Sequence, residues 1–167
     1  NFLALDSSSG SLDGSAYSNV DTKAPNAPTS LTTTATRTSD TTPTITGSAE
    51  ANSTVKIYSG TTLLGTGTAD SNGSFSITTS TLSEGDYALT ATATDAAGNT
   101  STASDSYTIT IDTTAPSAPT SLTTAATTTE DSTPTITGSA EANSTVKLYS
   151  GTTLLGSTTA DSNGSFS

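Results

Sequence analysis

Ten residues, "GSAEANSTVK", stand at 47–56 and again, unchanged, at 138–147. The identity extends well beyond them. Residues 24–76 and 115–167 align over 53 positions at a constant offset of 91, with no insertion. Eight positions differ: Asn26/Ser117, Thr34/Ala125, Arg37/Thr128, Ser39/Glu130, Thr41/Ser132, Ile57/Leu148, Thr66/Ser157 and Gly67/Thr158. Fixed spacing with mild exchange marks a folded unit copied whole, because a disordered tract drifts in length. The offset is too long for an ordinary solenoid repeat of ~20–50 residues. It suits a β-sandwich of ~100 residues, so each copy is expected to close its own core.

Within one copy, short alternating segments are separated by turn signals. A first strand is expected around Leu31, after Pro25 and Pro28. "TPTITG" (42–47) alternates around Ile45, and "STVKIYSG" (53–60) sets Val55 and Ile57 against Lys56 and Tyr58. "TTLLGTGTAD" (61–70) follows a Ser59-Gly60 turn. In "ADSNGSFSI" (69–77), Asn72-Gly73 reads as a hairpin turn leading to Phe75 and Ile77. "GDYALTATATD" (85–95) places Leu89, Ala91 and Ala93 opposite Thr90, Thr92 and Thr94, and "SYTITID" (106–112) places Ile109 and Ile111 opposite Thr108 and Thr110. Tyr87 has the position of a tyrosine corner, its hydroxyl bonding back to nearby backbone. The reading is an all-β fold of about seven strands per copy, in two sheets packed face to face.

Composition narrows the chemistry. Ser and Thr supply 71 of 167 residues, 29 and 42 respectively. Thr is β-branched and fits the solvated face of a strand. Fifteen acidic residues against four basic ones give a formal charge of −11, which disfavours nucleic acid and anionic membranes and favours a multivalent cation. There is no Cys, His, Met or Trp. A thiolate zinc site, a cysteine nucleophile and a Ser-His-Asp triad are therefore excluded. Glu84 and Asp86 are the nearest carboxylate pair, but they lie two apart in a loop with no aromatic platform for a sugar. No catalysis is expected.

The phrases "TPTITGSAEANSTVKLYSG" (133–151), "GDYALTATATDAAGNTS" (85–101) and "IDTTAPSAP" (111–119) resemble the bacterial Ig-like repeat of very large secreted adhesins and biofilm-associated proteins. The resemblance covers residues 21–167. It implies tandem immunoglobulin-like β-sandwiches, an extracellular location on the bacterial cell surface, and a spacer or adhesive role. It also implies calcium at domain junctions. The organisation expected is a divergent segment 1–20, a first repeat 21–113 and an incomplete second repeat 114–167. Residues 1–20 fall out of register with the repeat's tail, since Ala16 stands where Tyr107 predicts an aromatic. The second copy has no counterpart of Ile77 to Ile111, so either the chain continues or a neighbouring chain supplies those strands.

In such a sandwich consecutive strands alternate in direction. Asp21, Glu50, Asn52, Asp70, Asn72, Asp95 and Asn99 are then expected at one pole, and Asp40, Glu84, Asp86 and Asp112 at the other. Calcium takes six to eight oxygens from Asp, Glu, Asn and carbonyl groups and would cancel the repulsion among clustered carboxylates. The expected ligands are Asp21, Glu50 and Asp95, repeated by Asp112 and Glu141. "DSNG" (70–73) lacks the distal Glu of an EF-hand and reads as a turn.

The functional expectation is a segment of a surface rod, with neighbouring Ig-like modules as partners and a host surface or matrix glycan or protein engaged through regions outside this segment. Nucleic acid and membrane insertion are not expected. The alternative is a subunit of a self-assembling fibre or sheath, in which residues 1–20 complete the second sandwich of another chain by strand addition. A carbohydrate-binding module is disfavoured by the lack of Trp.

Overall fold

The computed structural model describes residues 21–128 and 130–167, so expectations for residues 1–20 lie outside it. The chain divides into two compact units between Thr113 and Thr114.

Among the described residues the first unit is a sandwich of eight strands: β1 (Thr29–Thr32), β2 (Arg37–Thr38), β3 (Thr44–Ser48), β4 (Thr54–Ser59), β5 (Thr62–Thr68), β6 (Ser74–Thr78), β7 (Gly85–Thr94) and β8 (Tyr107–Ile111). One sheet has the order β1-β3-β6, the other β2-β8-β7-β4-β5. Every pair is antiparallel except β2 with β8, where Arg37 and Thr38 run parallel to Thr110 and Ile111. Because side chains alternate between faces along a strand, the alternating sequence buries one row. Ile45, Val55, Ile57, Leu89, Ile109 and Ile111 are all fully buried, and Phe75, Ile77 and Leu82 complete the layer between the sheets. The opposite row of the five-stranded sheet carries Thr90, Thr92 and Thr94 beside Lys56 and Tyr58, in register across β4 and β7.

Two details differ from the sequence reading. The two-residue strand β2 had no place in it, because two residues are too few to show a period. The Asn72-Gly73 turn does not close a hairpin, since β5 and β6 belong to different sheets. The chain crosses from one layer to the other there, with the Gly73 amide donating to the Asp70 carbonyl (2.9 Å). Tyr87 does form the expected corner, donating to the Ser83 carbonyl at 3.0 Å.

Among the described residues the second unit repeats β1 and β3 to β6 of the first. It contains β9 (Thr120–Thr124), β10 (Ile136–Ser139), β11 (Thr145–Ser150), β12 (Thr153–Thr159) and β13 (Ser165–Phe166), in sheets ordered β13-β10-β9 and β11-β12. The register is preserved: Val146 faces Thr158 as Val55 faces Gly67. Its buried cluster is Val146, Ala160 and Phe166, packed against Ala140, while Leu122 and Leu155 stay 57% and 61% exposed.

Candidate functional site

At the leading pole of the first unit three loops converge, and each is shaped by a local polar contact. The loop after β7, Asp95–Asn99, is organised by one carboxylate. Asp95 Oδ1 accepts the amides of Ala97 and Asn99, both at 2.9 Å, and Oδ2 accepts the side-chain amide of Asn99 at 2.9 Å. Gly98 takes φ +94° to close the turn, a conformation that costs glycine nothing. The Asn99 side chain, followed by the backbone amides around it, holds the Asp95 carboxyl below its ordinary value, although partial burial pushes the other way.

The loop after β3 turns at Glu50–Ser53, where the Ser53 amide donates to the Glu50 carbonyl (3.1 Å). Asn52 adopts φ +62°, the left-handed region that Asn tolerates better than other side chains. The incoming segment is fixed twice. Asp21 Oδ1 accepts the Lys23 amide (3.0 Å), and the Asp21 carbonyl accepts Asn99 Nδ2 (3.1 Å). Asn99 thus ties the start of the module to the turn after β7.

Asp21, Glu50 and Asp95 line one cleft of about 500 Å³ together with Asn52 and Ser53. Ser53 is only 1% exposed, and its Oγ has no hydrogen-bond partner. Leaving such a hydroxyl unpaired costs about 1–3 kcal/mol. The three carboxylates line the cleft wall without closing on a common point: among the described residues no three Asp or Glu side chains lie within reach of one ion.

The other expected ligands stand elsewhere. Asp112, at the trailing pole of the first unit, accepts Arg37 Nη2 at 2.6 Å. Its amide donates to the Thr38 carbonyl at 2.9 Å. Beside it Thr113 donates to Glu84 (2.9 Å) and Thr110 to Asp86 (2.6 Å). Glu141 belongs to the second unit, in a turn that copies Glu50–Ser53: the Ser144 amide donates to the Glu141 carbonyl (3.0 Å) and Asn143 takes φ +63°.

Strand direction puts Asn99 at this pole without giving it a contact there, and Ser53 is not read as part of the site. A signal for Asn99 existed. Asp70–Ser74, Asp95–Asn99 and Asp161–Ser165 share the pattern Asp-x-x-Gly-x, and in each the Asp Oδ1 accepts the amides two and four residues on. The fifth residue is Ser in two of these turns and Asn at 99, where the longer amide reaches the incoming chain.

Comparison with known proteins decides the family. The bacterial Ig domain matches residues 24–110 and again 115–167. The chain belongs to the bacterial Ig domain family. No curated protein matches it. As a tandem bacterial Ig array it is a module of the adhesin type, typical of extracellular proteins of the bacterial cell surface. In this bacterial Ig module the leading-pole cleft lies where the chain enters the sandwich, beside Asp21.

Proposed function

We propose that the chain is a spacer segment of an adhesive surface rod, stiffened by calcium at the leading pole of its modules. The observation that carries the reading is the cleft at that pole, whose wall is lined by Asp21, Glu50 and Asp95 together with Asn52 and Ser53. Hard oxygen donors of this kind suit calcium, which tolerates irregular geometry. Asp95 is held ionised by Asn99, and Glu50 sits on an exposed turn with the longest side chain of the three. Glu141 stands 91 residues after Glu50, in the same kind of turn, and would take the same role within the second module. Bound calcium would supply charge neutralisation and fix the direction in which the chain enters the sandwich.

The experiment is thermal unfolding of the whole chain in calcium and in chelator, with Glu50→Gln as the matched control. Calcium is expected to raise the midpoint of the first unit, and Glu50→Gln to remove most of that rise. Identical midpoints in calcium and chelator would eliminate the metal and leave the spacer reading standing. That reading fails separately if deleting the segment from its surface protein leaves the adhesive reach unchanged.

A further inference from the structure

Strand β2 joins the incoming segment of the first unit to its outgoing one. Arg37 and Thr38 run parallel to Thr110 and Ile111 of β8, the last strand before the unit ends at Thr113. Two backbone bonds flank this short ladder. The Thr110 amide donates to the Thr36 carbonyl (2.7 Å) and the Asp112 amide to the Thr38 carbonyl (2.9 Å). Arg37 Nη2 donates to Asp112 Oδ2 at 2.6 Å, across 75 residues of sequence. On its other side β8 is tied to β7 and the turn before it. Thr110 Oγ1 donates to Asp86 (2.6 Å) and Thr113 Oγ1 to Glu84 (2.9 Å). Residues 110–113 are thus held from both neighbours at the point where the chain departs.

Direction decides what such a hold does. Tension in the chain pulls β2 from its own N-terminal end and β8 from its own C-terminal end. In a parallel pair those two pulls are opposed along one axis. They slide the strands past each other, so the backbone bonds and the ion pair are loaded together. An antiparallel pair pulled apart at adjacent ends opens one bond at a time instead. Strand β1 comes earlier along the chain and offers less resistance. Its register with β3 breaks between Thr29 and Thr32, and Ser30 sits at φ +56°, a left-handed conformation that serine rarely adopts. The β2–β8 pair therefore stands between a pulled module and the loss of β8, whose Ile109 and Ile111 are fully buried.

We infer that β2–β8 is a shear clamp that keeps the first unit closed under tension along the chain, and that Arg37 latches it through Asp112. The source of the tension rests on the spacer reading; the geometry of the clamp does not. The second copy has Thr128 where the first has Arg37, and it still forms the β11–β12 register that matches β4–β5. The shared strands thus form without the arginine. The Arg37 side chain is 68% exposed, so the pair adds little at equilibrium. A contact that breaks before the unfolding transition state acts wholly on the unfolding rate, and that rate governs forced unfolding.

The test is single-molecule pulling at constant force on the full chain, which has no cysteine of its own, with handles attached through introduced cysteines at exposed positions. Thr22→Cys with Ser117→Cys loads the clamp. Thr61→Cys with Ala97→Cys pulls β4 against β7, which pair from Thr54 to Ser59, and leaves β2–β8 outside the path of the load. Arg37→Ala is expected to raise the unfolding rate by roughly 1.5- to 5-fold in the first geometry and to leave it unchanged in the second. Exchanging the charges, Arg37→Asp with Asp112→Arg, is expected to bring the rate back towards the native one. No change in the first geometry overturns the latch. An equal rise in both geometries makes Arg37 a general stabiliser and overturns the clamp, and a charge exchange without recovery overturns Asp112 as its partner. These results are read without reference to adhesive reach, so failure of the clamp and failure of the spacer reading are told apart.

Discussion

Gly47→Ala sets two opposing effects against each other, and the structure decides between them. Gly47 lies on β3, opposite Phe75 of β6. Its φ is not in the left-handed region, so alanine fits the backbone. On that ground alone the substitution would stabilise by about 0.4–1 kcal/mol, through the lost freedom of the unfolded chain. A Cβ at this position, however, would stand 2.6 Å from Phe75 Cζ and 2.9 Å from the Thr29 carbonyl oxygen. The ring is 4% exposed and has nowhere to swing. The carbonyl belongs to β1, whose Thr29 is held in register with Ser48. Overpacking of a closed core costs roughly 1–3 kcal/mol, so the net expectation is a loss of about 1–2 kcal/mol. For a domain of this size that corresponds to a midpoint lowered by about 4–15 °C. Differential scanning calorimetry of the whole chain measures it. Adding Phe75→Leu, which removes the nearer clash, should make the pair less destabilising than the sum of its parts. A midpoint that stays put or rises in Gly47→Ala would refute the close approach of β1, β3 and β6 on which the packing of the smaller sheet rests.

Asn99→Ala is expected to return the Asp95 carboxyl towards its ordinary value and to release the Asp21 carbonyl. Asp95 has a depressed value in the folded state, so its contribution to stability is present above the unfolded value and is lost as pH falls below 3.8. The variant should flatten that acid limb, and a carboxyl-detected NMR titration showing an unchanged Asp95 would disprove the assignment. Arg37→Ala removes an ion pair whose partners are 68% and 25% exposed. A loss of at most about 1 kcal/mol, shrinking with added salt, is expected, and a larger, salt-independent loss in urea titrations would show that the pairing of β2 with β8 depends on this contact.

Most of the sandwich was legible because its strands alternate. Val55/Lys56/Ile57/Tyr58 and Leu89/Thr90/Ala91/Thr92 each assign one face to the core before any coordinates are considered. The unread parts are those without a period. Strand β2 is two residues of parallel pairing, and nothing in Arg37-Thr38 announces it. The partnership of Arg37 with Asp112 spans 75 residues, and its only trace in the sequence is that the second copy has Thr128 in place of Arg37. At the leading pole the carboxylates could be placed from strand direction alone, and Asp21, Glu50 and Asp95 do line one cleft. Strand direction puts Asn99 at this pole too, but its bond to the incoming chain is not legible, because a loop amide looks the same whether it faces water or bridges two chain segments. The contrast between Ser and Asn in three otherwise equivalent Asp-x-x-Gly-x turns was the available clue.

The distribution of charge connects fold and proposed role. Among the described residues Asp86 is the one acidic residue within a strand, while three of the four basic residues, Arg37, Lys56 and Lys147, lie on strands. The sheet faces are thus neutral to slightly basic and rich in threonine, and the negative charge gathers in the turns at the poles. Like charges gathered in the turns of one pole repel one another. Screening by salt reduces such repulsion beyond ~8–10 Å but does not supply direction. Asn99 fixes the incoming chain with neutral hydrogen bonds, and Arg37 neutralises Asp112 at the opposite pole. Neither reaches Glu50 by any hydrogen bond or ion pair in the structure, and for that reason Glu50, more than the already tethered Asp95, is the carboxylate at which a cation requirement would be felt.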